Sequence, residues 1–305
     1  DVRRRYAFGQ LSEWLGERTV HLDSFVQGLD LRAIAKQTVE VAPPEVRAML
    51  EAYAKGINAG ADSLGKLPIE YRLLKAEFEP WTAEDCAAIV LIQSWQLSEN
   101  SHLELGALAL KDTLDADTLD RLFRNGEHIP PLDDYWDELS TASFGDYTAG
   151  FKAFGGPPDK PIDPPQGSNN WVISPKLSST NGPIMASDPH LVQSVPSLWY
   201  LAHIEAGDLN VIGVTLPSAP AVVIGHNEHI SWSLTNVMTD YVDFVALERS
   251  GTNGYILAGE TKQFEKKTST INIRGLEPVQ HDTLWTEVGP VVTQPENASH
   301  VLVMR

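Results

Sequence analysis

The feature that most limits this fold is a change of hydrophobic period across a stretch that can hold neither helix nor interior strand. Between Gly150 and Gly167 lie Gly155-Gly156-Pro157-Pro158 and Pro161-Ile162-Asp163-Pro164-Pro165. Proline removes a backbone donor and fixes φ, so the segment reads as an exposed, stiff connector. Ahead of it, from Arg3 to about Asp120, apolar residues recur at helical spacing; behind it the spacing turns to two. Helices followed by short strands imply an α+β fold in which helices cover antiparallel sheet. The expected division is a helical region over 1–149, a spacer over 150–167 and a strand-rich region over 168–305.

Local signals sharpen both halves. Pro43-Pro44-Glu45 starts a helix that carries Val46, Met49, Leu50, Tyr53 and Ile57 on one face, with Gly60 and Gly65 expected to stop it. Thr82-Ala83-Glu84-Asp85 is a capping signal before the apolar run Ala87 to Leu97, which reads as a buried helix. Another amphipathic run spans Leu103 to Leu110. In the second half, Trp171-Val172-Ile173 and Pro183-Ile184-Met185-Ala186 flank Ser178-Ser179-Thr180-Asn181-Gly182, a hairpin signal around a buried first strand. Further strands are expected at Leu198 to Ile204, Val211 to Thr215, Ala221 to Ile224, His229 to Leu234 and Val242 to Leu247.

Composition removes several classes of function. There are 23 Lys plus Arg against 41 Asp plus Glu, a formal net charge of -18. A nucleic-acid partner is not expected, because phosphate binding needs a basic face. No run approaches the ~20 apolar residues of a membrane helix. The single cysteine, Cys86, rules out an internal disulfide and a cysteine zinc cluster. Asp1 is not a start methionine and Val301-Leu302-Val303-Met304-Arg305 stops within an apolar run. The chain is therefore expected to be part of a longer protein.

The chemistry is expected where connector meets sheet, in Gly167-Ser168-Asn169-Asn170-Trp171-Val172. If the Gly167–Ser168 bond breaks, Ser168 carries both a hydroxyl and a free α-amine. An α-amine has an ordinary pKa of ~7.7–8, suited to a general base near neutral pH. One residue then supplies both the nucleophile and the group that takes its proton. Gly167 leaves room for the hydroxyl to reach the preceding carbonyl. A serine at a strand entrance is, taken alone, more often a turn residue.

Three ordered motifs go further: Ser168-Asn169-Asn170-Trp171-Val172-Ile173, then Ser187-Asp188-Pro189-His190-Leu191, then Ile224-Gly225-His226-Asn227 with Ile230-Ser231-Trp232. Together they closely resemble the penicillin acylase family of N-terminal-nucleophile (Ntn) amidohydrolases, which includes cephalosporin and acyl-homoserine-lactone acylases. The resemblance implies an αββα sandwich of antiparallel sheets. It also implies a precursor cut at Gly167/Ser168 into α and β chains that form a heterodimer, and hydrolysis of a small-molecule N-acyl substrate through an acyl-enzyme. By the same resemblance Ser168 is nucleophile and base, His190 orients it, and Asn236 supplies a backbone oxyanion donor. The second oxyanion donor would fall beyond Arg305, so the chain on its own is expected to be inactive or impaired.

The resemblance further implies a structural Ca2+ held by Glu104, Asp240, the Val242 carbonyl and Asp243, with no organic cofactor, and a periplasmic or secreted location. Leu191, Ile224 and Leu234 stand where they could line an apolar acyl pocket. His203, His226 and His229 read as structural or surface residues, and Asp188, His190 and His203 match no recurrent zinc spacing. Two other readings stay open at this point: a noncatalytic ligand-binding relative, and a serine esterase using Ser168, His190 and Asp188. The latter lacks the Gly-x-Ser-x-Gly elbow around Ser168.

Overall fold

The computed structural model describes residues 1–97, 168–191, 197–236, 241–293 and 299–305, with a few positions between 110 and 121. The helical run 103–110 and the proline-rich connector fall largely outside these. Among the described residues the helices come first: α1 (Val2–Ala7), α2 (Ser12–Leu15), α3 (Val20–Leu29), α4 (Leu31–Val41), α5 (Pro44–Ser63), α6 (Ile69–Leu74) and α7 (Ala83–Leu97). The strands follow: β1 (Ser168–Ile173), β2 (Ile184–Pro189), β3 (Tyr200–Ala206), β4 (Leu209–Thr215), β5 (Val222–Asn227), β6 (Ser231–Trp232) and β7 (Phe244–Ser250). They continue with β8 (Gly254–Leu257), β9 (Glu260–Gln263), β10 (Glu265–Ile271), β11 (Val279–Trp285), β12 (Val291–Thr293) and β13 (His300–Met304). Pairing is antiparallel in four ladders: β1-β2, β3-β4-β5-β6, β12-β13-β7-β8-β9 and β10-β11. The α+β class read from the sequence is the observed one.

The chain forms two compact units, each drawn from both halves. One comprises Asp1–Leu31, Ser94–Asp159 and Asp240–Arg305; the other comprises Arg32–Gln93 and Lys160–Thr239. Compaction thus does not follow the order helices, connector, strands.

In the first unit, α1, α2 and α3 turn around the buried Asp23, whose carboxylate accepts the Leu11 N–H at 3.0 Å and the Ser12 N–H at 2.6 Å. Burial pushes the Asp23 carboxyl above its usual range, and these donors to the charged form oppose the shift. Gly9 (φ +61°) closes the α1–α2 turn against α3, where a Cβ would lie 2.6 Å from the Asp23 carbonyl oxygen. The same helices reach the β10–β11 ribbon. Lys267 Nζ meets Asp30 Oδ2 at 2.9 Å, and Arg274 Nη1 donates to the Trp14 carbonyl at 3.0 Å. The five-stranded sheet packs on Leu247, Tyr255, Val301 and Val303.

In the second unit, α5 begins at Pro44, as its fixed φ favours at a first helical turn. It differs from expectation in two ways. It runs through Gly56 and Gly60 to Ser63, because an interior glycine costs only ~1 kcal/mol and does not break an established ladder. Its buried stripe is Leu50 and Ala54, with Tyr53 and Ile57 half-buried, while Val46 and Met49 are exposed. Asn58 fixes this face: its side chain both donates to the Trp81 carbonyl (2.9 Å) and accepts the Trp81 N–H (2.7 Å).

The capping signal before α7 holds. The Thr82 N–H donates to Asp85 Oδ2 at 2.7 Å, and the Asp85 N–H donates to Thr82 Oγ1 at 3.3 Å, a reciprocal box. Cys86, Ala87, Ala88, Ile89 and Ile92 are buried, as an apolar run should be. Cys86 Sγ accepts the Trp81 indole N–H at 3.3 Å, and burial pushes its thiol up to about 11. Since the thiolate is the reactive form, Cys86 is expected to resist a thiol-specific reagent at pH 8 in the native state. It should react within mixing time in denaturant; fast labelling of native protein would contradict its burial.

The β3–β6 sheet carries the third sequence motif. The expected strand at 229–234 shortens to Ser231–Trp232 because Asn227 ties a turn ahead of it. Its Oδ1 accepts the N–H groups of His229 and Ile230, each at 2.8 Å, while its own N–H donates to the Ile230 carbonyl at 3.0 Å. The β1–β2 ribbon also departs from expectation. Ile173 pairs with Ile184, so residues 174–183 form the connection, with a 3-10 turn at Pro175–Leu177 and Asn181 at φ 57°. Nor is β1 buried: Trp171 is 54% and Val172 70% exposed. Consecutive apolar residues put hydrophobic surface on both faces of a ribbon whose only ladder partner among the described residues is β2.

Candidate active site

Ser168 opens β1, half-buried, and pairs with Pro189 at the end of β2. The fold thereby brings the first two sequence motifs together, as a hairpin between them required. Asp188 stands opposite Asn169, and Ser187 opposite Asn170. Side chains alternate along a strand, so Ser168 and Pro189 share one ribbon face and Asn169 and Asp188 the other.

His190 follows immediately after the strand. Three short-range constraints act on it. Pro189 precedes it with a fixed φ. The Leu191 N–H donates to the Pro189 carbonyl at 3.1 Å, closing a three-residue turn centred on His190. Its ring Nε2 lies 2.7 Å from Asp188 Oδ2. The carboxylate can only accept, so the neutral ring carries its proton on Nε2 and leaves Nδ1 as the unprotonated nitrogen. Pairing sets His190 beside Ser168 along the chain, while its ring is held from the Asp188 side of the ribbon. Asp188 as the partner of His190 emerges from the geometry; the Asp-Pro-His spacing was its signal in sequence.

The remaining site residues are distributed as follows. Leu191 is half-buried beside the turn, Ile224 is buried in β5 at 9% exposure, and Leu234 is 57% exposed beyond β6. Asn236 is half-buried on the segment after β6. All lie in the second unit with Ser168. Gly167, the other side of the scissile bond, is outside the described residues. His203 engages Asn210 Oδ1 at 2.9 Å and His226 Nδ1 lies 3.2 Å from the Asn227 carbonyl; both are exposed, as is His229.

The segment suggested for calcium lies in the first unit. Glu104 and Asp240 fall outside the described residues. Val242 is buried, and Asp243 is exposed immediately before β7. The Asp243 backbone exchanges two hydrogen bonds with Arg305 (3.2 and 2.9 Å), extending the β7–β13 ladder, and its carboxylate lies 3.4 Å from the Arg305 guanidinium. In this structure the Asp243 carboxylate faces a guanidinium rather than a metal ion, although carboxylate and main-chain carbonyl oxygens are the donor types a hard cation takes. Among the described residues no three His, Cys, Asp or Glu side chains cluster as metal ligands. Nor is any described helix long and apolar enough to cross a membrane.

Comparison with known proteins agrees with the motifs. The penicillin amidase family model matches residues 1–305. Penicillin acylase 2 proenzyme of a Pseudomonas species is 29% identical across 100% of this chain and 40% of its own length. Acyl-homoserine lactone acylase QuiP of Pseudomonas aeruginosa is 28% identical across 95% of this chain and 35% of its own. A solved penicillin G acylase from Alcaligenes faecalis matches at 20% identity and a TM-score of 0.33, covering 36% of this chain and 20% of that one. The chain thus spans about two fifths of the length of the curated relatives it matches. A family match that runs from the first residue to the last identifies this chain as a member of the penicillin amidase family.

Proposed function

We propose that this chain is the nucleophile-bearing part of an N-acyl amide hydrolase, active once the Gly167–Ser168 bond is cut. The observation that carries the reading is the position of Ser168 at the head of β1, paired to the strand that delivers His190, in a chain matching its family throughout. In the matured enzyme the Ser168 hydroxyl attacks the amide carbonyl while its own α-amine takes the proton. The Asn236 N–H and a second donor beyond Arg305 face the oxyanion, an interaction whose loss typically costs ~10²–10³ in rate. Collapse passes the proton to the leaving amine, and water then releases the acyl group from Ser168. His190 orients the nucleophile, and Leu191, Ile224 and Leu234 contribute apolar lining for the acyl chain.

The names of the relatives favour the side-chain amide of a β-lactam or an acyl-homoserine lactone as substrate. The term proenzyme on one of them supports processing into two chains. Contacts across the cut support a lasting α–β heterodimer: Lys267 with Asp30 and Arg274 with Trp14 in one unit, and the Ser218 N–H donating to Tyr53 Oη at 3.3 Å in the other. The full-length fold is an αββα sandwich in which the bare apolar faces of the β1–β2 ribbon are covered, and the protein acts in the periplasm or outside the cell.

The test is the mass of the matured full-length protein, expected to include a β chain beginning at Ser168. A panel of phenylacetyl, glutaryl and long-chain acyl amides then ranks the acyl groups. Hydrolysis by a protein whose Gly167–Ser168 bond stays intact overturns the reading.

Calcium belongs to the same proposal, bound by Glu104, Asp240, the Val242 carbonyl and Asp243 as a structural tie with no part in hydrolysis. Chelator-stripped full-length protein is expected to gain roughly 2.7 kcal/mol of stability at a calcium concentration 100 times the Kd. A melting temperature that does not respond to added calcium counts against this site.

A further inference from the structure

The tripeptide Thr-Asn-Gly occurs twice among the described residues, as Thr180-Asn181-Gly182 and as Thr252-Asn253-Gly254. An asparagine followed by glycine carries a reactivity of its own, because glycine has no side chain to hold its backbone nitrogen away from the preceding carboxamide. That nitrogen can attack the asparagine Cγ when the peptide plane between the two residues is free to turn. The same three residues stand here in two different frames, so the fold decides between them.

The second copy is held in sheet. Gly254 starts β8 and is buried, paired with Ser250 of β7 and with Gln263 of β9. A Cβ there would lie 2.8 Å from the Ser250 carbonyl oxygen and 2.9 Å from that of Lys262, so ladder backbone closes on it from both sides. The Asn253 carbonyl accepts the Phe264 N–H at 2.9 Å. Turning this plane means breaking ladder hydrogen bonds. The first copy lies in the connection between β1 and β2, where Asn181 is exposed at φ 57°. Local contacts shape that turn: the Thr180 N–H donates to Ser178 Oγ at 3.2 Å, the Asn181 N–H to the Ser178 carbonyl at 3.3 Å and the Gly182 N–H to Thr180 Oγ1 at 3.4 Å. A Cβ on Gly182 would meet Thr180 Oγ1 at 3.7 Å, an ordinary contact, and Pro183 follows with no N–H to give to a ladder.

We infer that Asn181 is a site of spontaneous modification, a deamidation that proceeds in the native fold and spares Asn253. It is independent of Ser168 as nucleophile. The Gly182 nitrogen gives up its proton and bonds to Asn181 Cγ. The Cγ–Nδ2 bond breaks, and the amide group departs with that proton as ammonia, leaving a cyclic imide. Water then opens the ring. Attack at Cγ gives aspartate; attack at the main-chain carbonyl carbon gives isoaspartate, whose main chain runs through Cβ and Cγ. Either product adds a carboxylate to the connection between the strands that bear the first two sequence motifs, and isoaspartate lengthens that connection by one methylene.

Purified full-length protein kept at pH 8, sampled over time and mapped by peptide mass spectrometry, reports both sites at once. Conversion shows as a peptide heavier by the difference between water and ammonia, with heavy oxygen taken up from labelled water. In native protein Asn181 is expected to convert at least ~10-fold faster than Asn253, since a residue pinned in a ladder reacts only through local opening. In urea the two rates should converge, because the tripeptide is the same. Gly182→Ala is expected to slow conversion of Asn181 several-fold while circular dichroism and the Asn253 rate stay unchanged. Equal native rates overturn the inference. So does a difference that persists in urea, which traces it to Pro183 against Tyr255 in the flanking sequence instead of to the fold. Conversion of folded Gly182→Ala at the wild-type rate overturns the route through the glycine nitrogen.

Discussion

Replacing Ser168 by alanine in the full-length precursor is expected to leave one uncut chain and no measurable amide hydrolysis. Alanine removes the hydroxyl from both reactions at once, the cut before residue 168 and the attack on substrate. Removing a serine nucleophile elsewhere costs about 10⁶ in kcat, and here the α-amine base is lost with it because the bond stays whole. The two readouts should therefore fall together, and neither is explained by misfolding, since a serine-to-alanine change at the half-buried end of β1 removes one oxygen. In mature wild-type protein, chemical blocking of the α-amine should silence turnover while leaving the fold intact. An esterase built on Ser168, His190 and Asp188 would survive that blocking, so persistence of activity decides against the N-terminal mechanism.

Gly225→Ala and Gly213→Ala are expected to destabilise the protein by about 3 kcal/mol each, read as a lower urea midpoint at unchanged slope. Gly213 in β4 pairs with Gly225 in β5, which in turn pairs with Trp232 in β6. A Cβ on Gly213 would lie 2.2 Å from the Ile224 carbonyl oxygen, and one on Gly225 would lie 2.3 Å from that of Ile212. Both would also stand 2.6 Å from Val222 Cγ1. Side-chain rotation relieves only the last contact; the carbonyls are ladder backbone, so the strands themselves must separate. Trp232 is tied to the same spot, its indole N–H donating to the Val222 carbonyl at 3.0 Å. Gly207→Asn is the control: its φ of +58° suits asparagine, and nothing lies within 4 Å of the added Cβ. Equal midpoints for Gly225→Ala and wild type would show that the two strands do not approach this closely.

The third sequence motif owes its residues to this packing as much as to chemistry. Gly225 permits the close approach, Asn227 knots the turn and Trp232 closes the row, so the motif builds the β5–β6 hairpin. Its glycine and tryptophan could be read from the sequence as strand residues, but the reason for them could not. A Cβ clash with a carbonyl on another strand has no local signature.

What the sequence determined alone was whatever depends on neighbours a few residues apart. The helical half, the proline start of α5, the reciprocal box of Thr82 and Asp85, and the short strands after residue 168 were all legible, because capping, φ restriction and side-chain period act within one or two turns. So was the pairing that brings Ser168 alongside His190, since a single short connection joins their strands. Only the tertiary structure decided the rest: the run of α5 past Gly60, the stripe Leu50–Ala54 turned inward by Asn58, and the interleaving of both halves in each unit. Those outcomes rest on contacts such as Lys267 with Asp30, 237 positions apart in the chain. Residues so distant meet only once other segments have packed between them, and no local pattern records which partner the collapsed chain will present.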